Sequence, residues 1–133
     1  MVDSEMCPCG AGETYEVCCG RFHMELALPE TAEELMRSRY SAYVKQNVSY
    51  LKVTLWPLYQ KSFNEIGTLL RAQDSRWLGL EIVDTNRGQL SDKEGFVEFI
   101  ARSVVDGVVD EQREKSLFRK KGGRWYYVRA LSG

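Results

Sequence analysis

Four cysteines carry the chemistry this sequence advertises: Cys7, Cys9, Cys18 and Cys19 all fall between positions 7 and 19, and no cysteine follows them. Thiolates are the ligands of structural zinc, which takes four donors at tetrahedral corners, commonly as two short pairs joined by a turn. Cys7/Cys9 and Cys18/Cys19 are two such pairs. In an extended strand the Cys18 and Cys19 side chains would face opposite ways, so both reach one ion only where the chain coils. Gly10 and Gly12 between the pairs, and Gly20 after them, supply the backbone freedom for that coil. One zinc ion is expected, with iron as the other metal that a tetrahedral sulfur site suits. His23, the one histidine, lies four residues beyond Cys19 and is the candidate substitute for a thiolate.

A disulfide framework is the competing use of four cysteines. Met1 to Met6 reads as an acidic start with neither a basic stretch nor an apolar run, so no export signal is expected. A cytoplasmic location follows as the expectation, and a reducing compartment favours metal over bridges.

The pattern Cys-x-Cys-x8-Cys-Cys with Gly-x-Gly in the turn closely resembles the SEC-C motif, the zinc-binding tail of the bacterial preprotein translocase motor ATPase. That motif usually reads Cys-Pro-Cys-Gly-Ser-Gly; here it is Cys7-Pro8-Cys9-Gly10-Ala11-Gly12, and Cys19 stands where the translocase has a histidine. In the translocase this tail contacts a chaperone and associated surfaces. The resemblance therefore implies a docking or adaptor role toward a protein partner, translocation- or ribosome-associated.

The rest of the chain must position this knuckle. At 133 residues there is room for one domain with a core plus a small appendage, read as a knuckle over 1–24 and a folded domain over 25–133. Eighteen basic and nineteen acidic residues leave a net charge of −1, which gives no general pull toward nucleic acid or anionic lipid. Arg119 to Tyr127 does interleave basic and aromatic residues, but around Gly122-Gly123 this reads as a solvated hairpin, so nucleic-acid binding is not expected. No apolar run approaches the ~20 residues of a membrane helix.

Thr31 and Glu34 form a capping box that opens a helix running to about Gln46. Its periodicity puts Ala32, Leu35, Met36, Tyr40 and Tyr43 on the core side and Glu34, Arg37, Ser38, Ser41 and Lys45 on the other. Asn47 caps a short second helix to about Leu55. A third carries the stripe Tyr59, Phe63, Ile66, Leu69 and Leu70, read as core. From Trp77 the pattern alternates, giving strands near 77–86, 95–105, 108–120 and 124–131, with Asp106-Gly107 and Gly122-Gly123 as hairpin turns. Three helices before an antiparallel meander predict an α+β domain, helices packed on a curved four-stranded antiparallel sheet.

Arg39 breaks the helical pattern by falling inside the apolar arc. A guanidinium pressed into a core must meet an anion to offset its desolvation. On the strand Glu111 to Arg119, parity puts Arg113, Lys115, Leu117 and Arg119 outward and Glu114, Ser116 and Phe118 toward the helices, so Glu114 is the expected partner, with Glu98 second. If the two sides of this pair instead face a cavity, Arg39 becomes an anion anchor, with Tyr40, Tyr43, Trp56, Trp77 and Glu114 as possible walls.

Thr31 to Tyr43, Ile82 to Thr85, Glu94 to Phe99 and Arg124 to Val128 together resemble the YchJ family of small bacterial proteins, which carry an N-terminal SEC-C motif. The resemblance implies a cone-shaped fold shared with nuclear transport factor two and scytalone dehydratase, of the cystatin-like class. Many members carry His-Glu where this chain has Arg113-Glu114, and many carry a second cysteine cluster beyond the position of Gly133. The expected function is a zinc-binding docking module without a reaction of its own, since four thiolates leave no open position at the metal. The alternative is a small-molecule or enzymatic pocket in the cone.

Overall fold

The computed structural model describes residues 5–132. After a short 3-10 turn at Tyr15–Val17, helix α1 spans Cys19–His23, α2 Ala32–Val44, α3 Val48–Val53 and α4 Glu65–Asp74; the strands are β1 Arg76–Arg87, β2 Glu94–Val105, β3 Val108–Lys121 and β4 Arg124–Ser132. The strands form one antiparallel sheet in the order β1-β2-β3-β4. Register shifts within β1 and between β3 and β4 mark bulges, which bend the strands and curl the sheet into a cone.

Helix α2 closes the cone. Thr31 Oγ1 accepts the Glu34 amide at 3.1 Å, and Glu34 Oε1 accepts the Glu30 amide at 2.8 Å, so both halves of the predicted box satisfy orphan donors. Leu35, Met36 and Tyr40 from α2 meet Val97, Phe99, Phe118 and Trp125 from the concave face in the main core. Inward parity on β4 belongs to Trp125 and Tyr127. Tyr126 turns outward, edge-on to Trp56 with centroids 5.9 Å apart.

Ser38 and Ser41 sit on the side of α2 expected to face solvent, yet both are fully buried. The knuckle covers them. Small side chains on that face let α1 approach, and Phe22 of α1 joins Ala42, Tyr50 and Leu51 in a second core shared by knuckle and cone.

The third helical stripe is corrected twice. The chain makes a 3-10 turn at Pro57–Ser62 and restarts at Asn64, whose side chain accepts the Gly67 amide at 2.8 Å. Ile66 and Leu70 are then 75% and 53% exposed, because among the described residues no layer packs over the outer side of α4. Leu117 is also a correction: it faces outward as expected but is buried, between the cross-strand neighbours Phe96 and Arg129. Among the described residues no helix is long and apolar enough to cross a membrane.

Candidate metal centre

Two paired segments bring the thiols together. Cys7 N donates to Glu13 O at 2.9 Å and Tyr15 N to Glu5 O at 2.8 Å, tying the first pair into a tight loop. Cys18 N donates to Tyr15 O at 3.1 Å, and α1 begins at once with Cys19, so the coil demanded by adjacent ligands is supplied by a 3-10 turn running into a helix. Gly20 is required there by proximity: a Cβ would lie 2.7 Å from the Tyr15 carbonyl oxygen.

All four Sγ atoms lie within 4.8 Å of one another, and Cys9 Sγ is 3.6 Å from Cys18 Sγ. Tetrahedral zinc with Zn–S of about 2.3 Å holds its sulfurs about 3.8 Å apart, so the donor set fits that ion. The cysteines are free of disulfides; Cys7, Cys9 and Cys19 are buried and Cys18 is partly exposed. Hydrogen bonds from Cys19 and then Cys9 hold the Cys7 thiol far below its usual range. Those same interactions, given up to Cys7, push Cys19 far above it. Burial first, then Cys9, pushes Cys18 up to about 12. Without a cation the cluster thus favours the Cys7 thiolate and resists ionisation of Cys18 and Cys19. A divalent cation reverses that balance by making ionisation of all four favourable.

The cone holds this cluster from α2. Arg37 Nη1 donates to Cys9 O at 2.7 Å while its Nε meets Glu33 at 2.9 Å. Ser41 Oγ lies 3.4 Å from Cys7 Sγ, and Arg21 Nε donates to Cys18 O at 3.1 Å. Arg37 and Ser41 orient the ligands from α2, where the sequence pattern concealed them as an ordinary polar helix face, and Arg21 does so from within α1. His23 is not one of the clustered donors. Its Nε2 is 2.8 Å from the Ser38 carbonyl, which fixes that nitrogen as N–H donor, and Nδ1 accepts from Tyr15 OH at 2.5 Å. With both nitrogens engaged and burial holding its pKa below the ordinary value, the ring is a neutral strut between knuckle and α2.

The second group of candidate residues lies across the cone. Arg39, Tyr40, Tyr43, Trp77 and Glu114 line one cavity of about 130 Å³, together with Met36, Arg71, Phe99, Ala101, Gln112 and Tyr127. Trp56 is not among them. It caps the outer side of β4 against Tyr126, since adjacent β4 residues face opposite ways.

Arg39 is buried as the pattern required, but the expected contact with Glu114 is not made. Its Nη1 donates to Leu51 O at 2.8 Å and Thr54 Oγ1 at 2.6 Å, and the guanidinium sits 4.8 Å over the Tyr127 ring. Glu114 instead accepts from Ser116 Oγ at 2.5 Å and Tyr127 OH at 3.0 Å, so Tyr127 stands between the two charges. Burial, and next the Glu114 charge, push Tyr127 up to about 12. Glu98, the second choice, points outward to Arg113 at 2.7 Å.

The interleaved basic and aromatic residues near the last hairpin are internally engaged. Trp125 is buried and donates to Glu30 O at 3.1 Å, while Lys120 lies 5.2 Å over its ring.

Residues 31–130 match the family described as "YchJ, middle NTF2-like domain", and residues 4–21 match the SEC-C motif. The chain belongs to the YchJ family. A UPF0225 protein of Haemophilus influenzae (strain PittEE) is 44% identical over 127 residues, covering 94% of this chain and 77% of the relative. One from Geobacter sulfurreducens is 41% identical over 125 residues, with 94% and 78% coverage. Among solved structures, a SEC-C motif containing protein from Rhodopseudomonas palustris aligns with TM-score 0.88 at 33% identity, covering 96% of this chain and 98% of that one. Another from Psychrobacter arcticus aligns at 0.82 with 28% identity, covering 96% and 82%. The α+β fold with an NTF2-like cone and an N-terminal cysteine cluster is thus that of its YchJ relatives.

Proposed function

We propose that this YchJ-family chain uses one zinc ion, held by Cys7, Cys9, Cys18 and Cys19, to build a docking surface for a protein partner, with no reaction at the metal. The observation that carries this reading is the division of the knuckle into two sides. Its inner side is fully engaged by α2, while Met6, Val17, Met24 and Leu26 stand 57% to 75% exposed around the outer side and the connector. Apolar side chains held out from a small, cross-linked element suit a protein contact rather than a solvated one. Four thiolates complete a tetrahedral shell, which leaves no position for a substrate. A partner at the translocation machinery or ribosome agrees with the SEC-C resemblance.

The test uses the intact, metal-loaded chain, because Phe22 and the buried serines tie the knuckle to the cone. Tagged protein carrying Val17→Asp and Met24→Asp should keep its zinc and lose specific partners that the unaltered chain captures by cross-linking. Retention of every specific partner would overturn the reading, and so would hydrolysis of a test substrate that chelation abolishes.

A further inference from the structure

The cone cavity holds a positive charge that Leu51, Thr54 and the Tyr127 ring answer on one side only. Arg39 is 7% exposed, and among the described residues its bonds to neighbours all come from Nη1, leaving Nε and Nη2 without a partner. Among the described residues no carboxylate lies within ion-pair distance of it. Burial pulls its pKa down, yet a guanidinium does not give up its proton in a protein, so the charge stays. The oxygens of Glu114 are already taken by Ser116, Tyr127 and Gln112. Arg71 stands at the mouth, its Nη2 on Gln112 Oε1 at 3.0 Å. Two guanidinium groups and one carboxylate therefore line the cavity, a net charge of +1.

A second donor waits in the same wall. Trp77 Nε1 is the buried side-chain nitrogen for which the described residues supply no acceptor. Leaving such a group unpaired forfeits the hydration it had in the unfolded chain with nothing in return. The remaining lining is apolar or aromatic, chiefly Met36, Tyr40, Tyr43 and Phe99. At ~30 Å³ per water, the inner space holds roughly four water-sized groups, enough for a carboxylate and the near edge of an attached ring, whose far edge would extend into the adjoining opening. It shares Arg71, Trp77, Ala101 and Gln112 with an outer opening of about 410 Å³ that Asp74 and Asp110 also line, so a ligand can enter from that end with Arg71 as the cation beside those two carboxylates.

We propose that this cavity binds a small organic monocarboxylate, its carboxylate between Arg39 and Trp77 Nε1 and its apolar body against the aromatic walls. One negative charge balances the site, two acceptor oxygens answer two kinds of donor, and an inorganic anion would leave the walls unused.

Benzoate is the probe and benzamide its neutral isostere, added to the full zinc-loaded chain while the indole N–H signals are followed by two-dimensional NMR. Trp77→Phe assigns the signal. Benzoate should shift the Trp77 indole proton downfield saturably at concentrations up to about 20 mM, the range of a weak site. Benzamide should bind at least about tenfold more weakly, and Arg39→Met should weaken benzoate by the same factor. If Arg39→Met loses its dispersed spectrum, the contrast of benzoate with benzamide in the unaltered chain decides alone. No saturable shift, equal shifts from both probes, or displacement of benzoate by lower concentrations of inorganic phosphate would each overturn the proposal.

Discussion

Replacing Gly20 by alanine tests the local logic of the metal centre in one atom. The added Cβ would lie 2.7 Å from the Tyr15 carbonyl oxygen and 3.0 and 3.1 Å from two of its ring carbons. The ring could rotate, but the oxygen is main chain and already accepts the Cys18 amide at 3.1 Å, so relief must move the 3-10 turn or the start of α1. Either motion displaces Cys18 or Cys19 relative to Cys7 and Cys9. Forcing a methyl group into a filled contact costs about 1–3 kcal/mol, which corresponds to a loss of zinc affinity of roughly five- to 150-fold. Competition with a chromophoric chelator reads this directly. Ala11→Ser is the control: position 11 is exposed in the same loop and should change affinity by less than ~0.5 kcal/mol. Zinc affinity for Gly20→Ala within twofold of the parent would refute the argument that the close approach at residue 20 sets the ligand geometry.

Other outcomes follow from the seam and the cone. Phe22→Ala, in the core shared by knuckle and cone, should cost about 3–5 kcal/mol in urea unfolding, with one transition for both parts; an early separate transition of the knuckle would contradict the shared core. Arg39→Ala should cost about 2–3 kcal/mol through its lost bonds to Leu51 and Thr54, whereas Glu114→Gln, which keeps acceptors for Ser116 and Tyr127, should cost less than ~1 kcal/mol. A contact ion pair would instead make the Glu114 change cost about 3–5 kcal/mol. His23 is buried neutral with its pKa depressed, so its contribution is fully present above the unfolded value of about 6.5 and lost as pH falls through the folded one. The difference in urea midpoint between the parent and His23→Gln should therefore shrink from pH 7.5 to pH 5.5, roughly one unit either side of that value; a difference that grows on acidification would reverse the assignment.

Much of the architecture was legible because it rests on local rules. The strands and their two-residue turns follow from alternation and from positive-φ positions at Asp106-Gly107 and Gly122-Gly123, and α2 follows from its cap and its apolar side. The four thiols were legible because their spacing has little other use. What sequence could not show is where long-range neighbours meet. Ser38 and Ser41 look solvent-facing until the knuckle is placed on them, and nothing local announces that contact. The stripe through Ile66 and Leu70 has core periodicity without a core to join. Arg39 was correctly read as buried. Its partners, however, are a main-chain carbonyl and a hydroxyl on the next helical segment, set by how α3 ends rather than by strand parity. Trp56 was misread for the same reason, since its place depends on β4 pairing with the segment at Leu55.

A closed zinc centre of four thiolates has its own signature in X-ray absorption at the zinc edge of protein purified without chelator. About one zinc per chain is expected, with four sulfur neighbours at ~2.3 Å and no nitrogen or oxygen neighbour. Less than about half an equivalent of metal, or a nitrogen or oxygen in the first coordination shell, would contradict it, the latter meaning an open position at the ion.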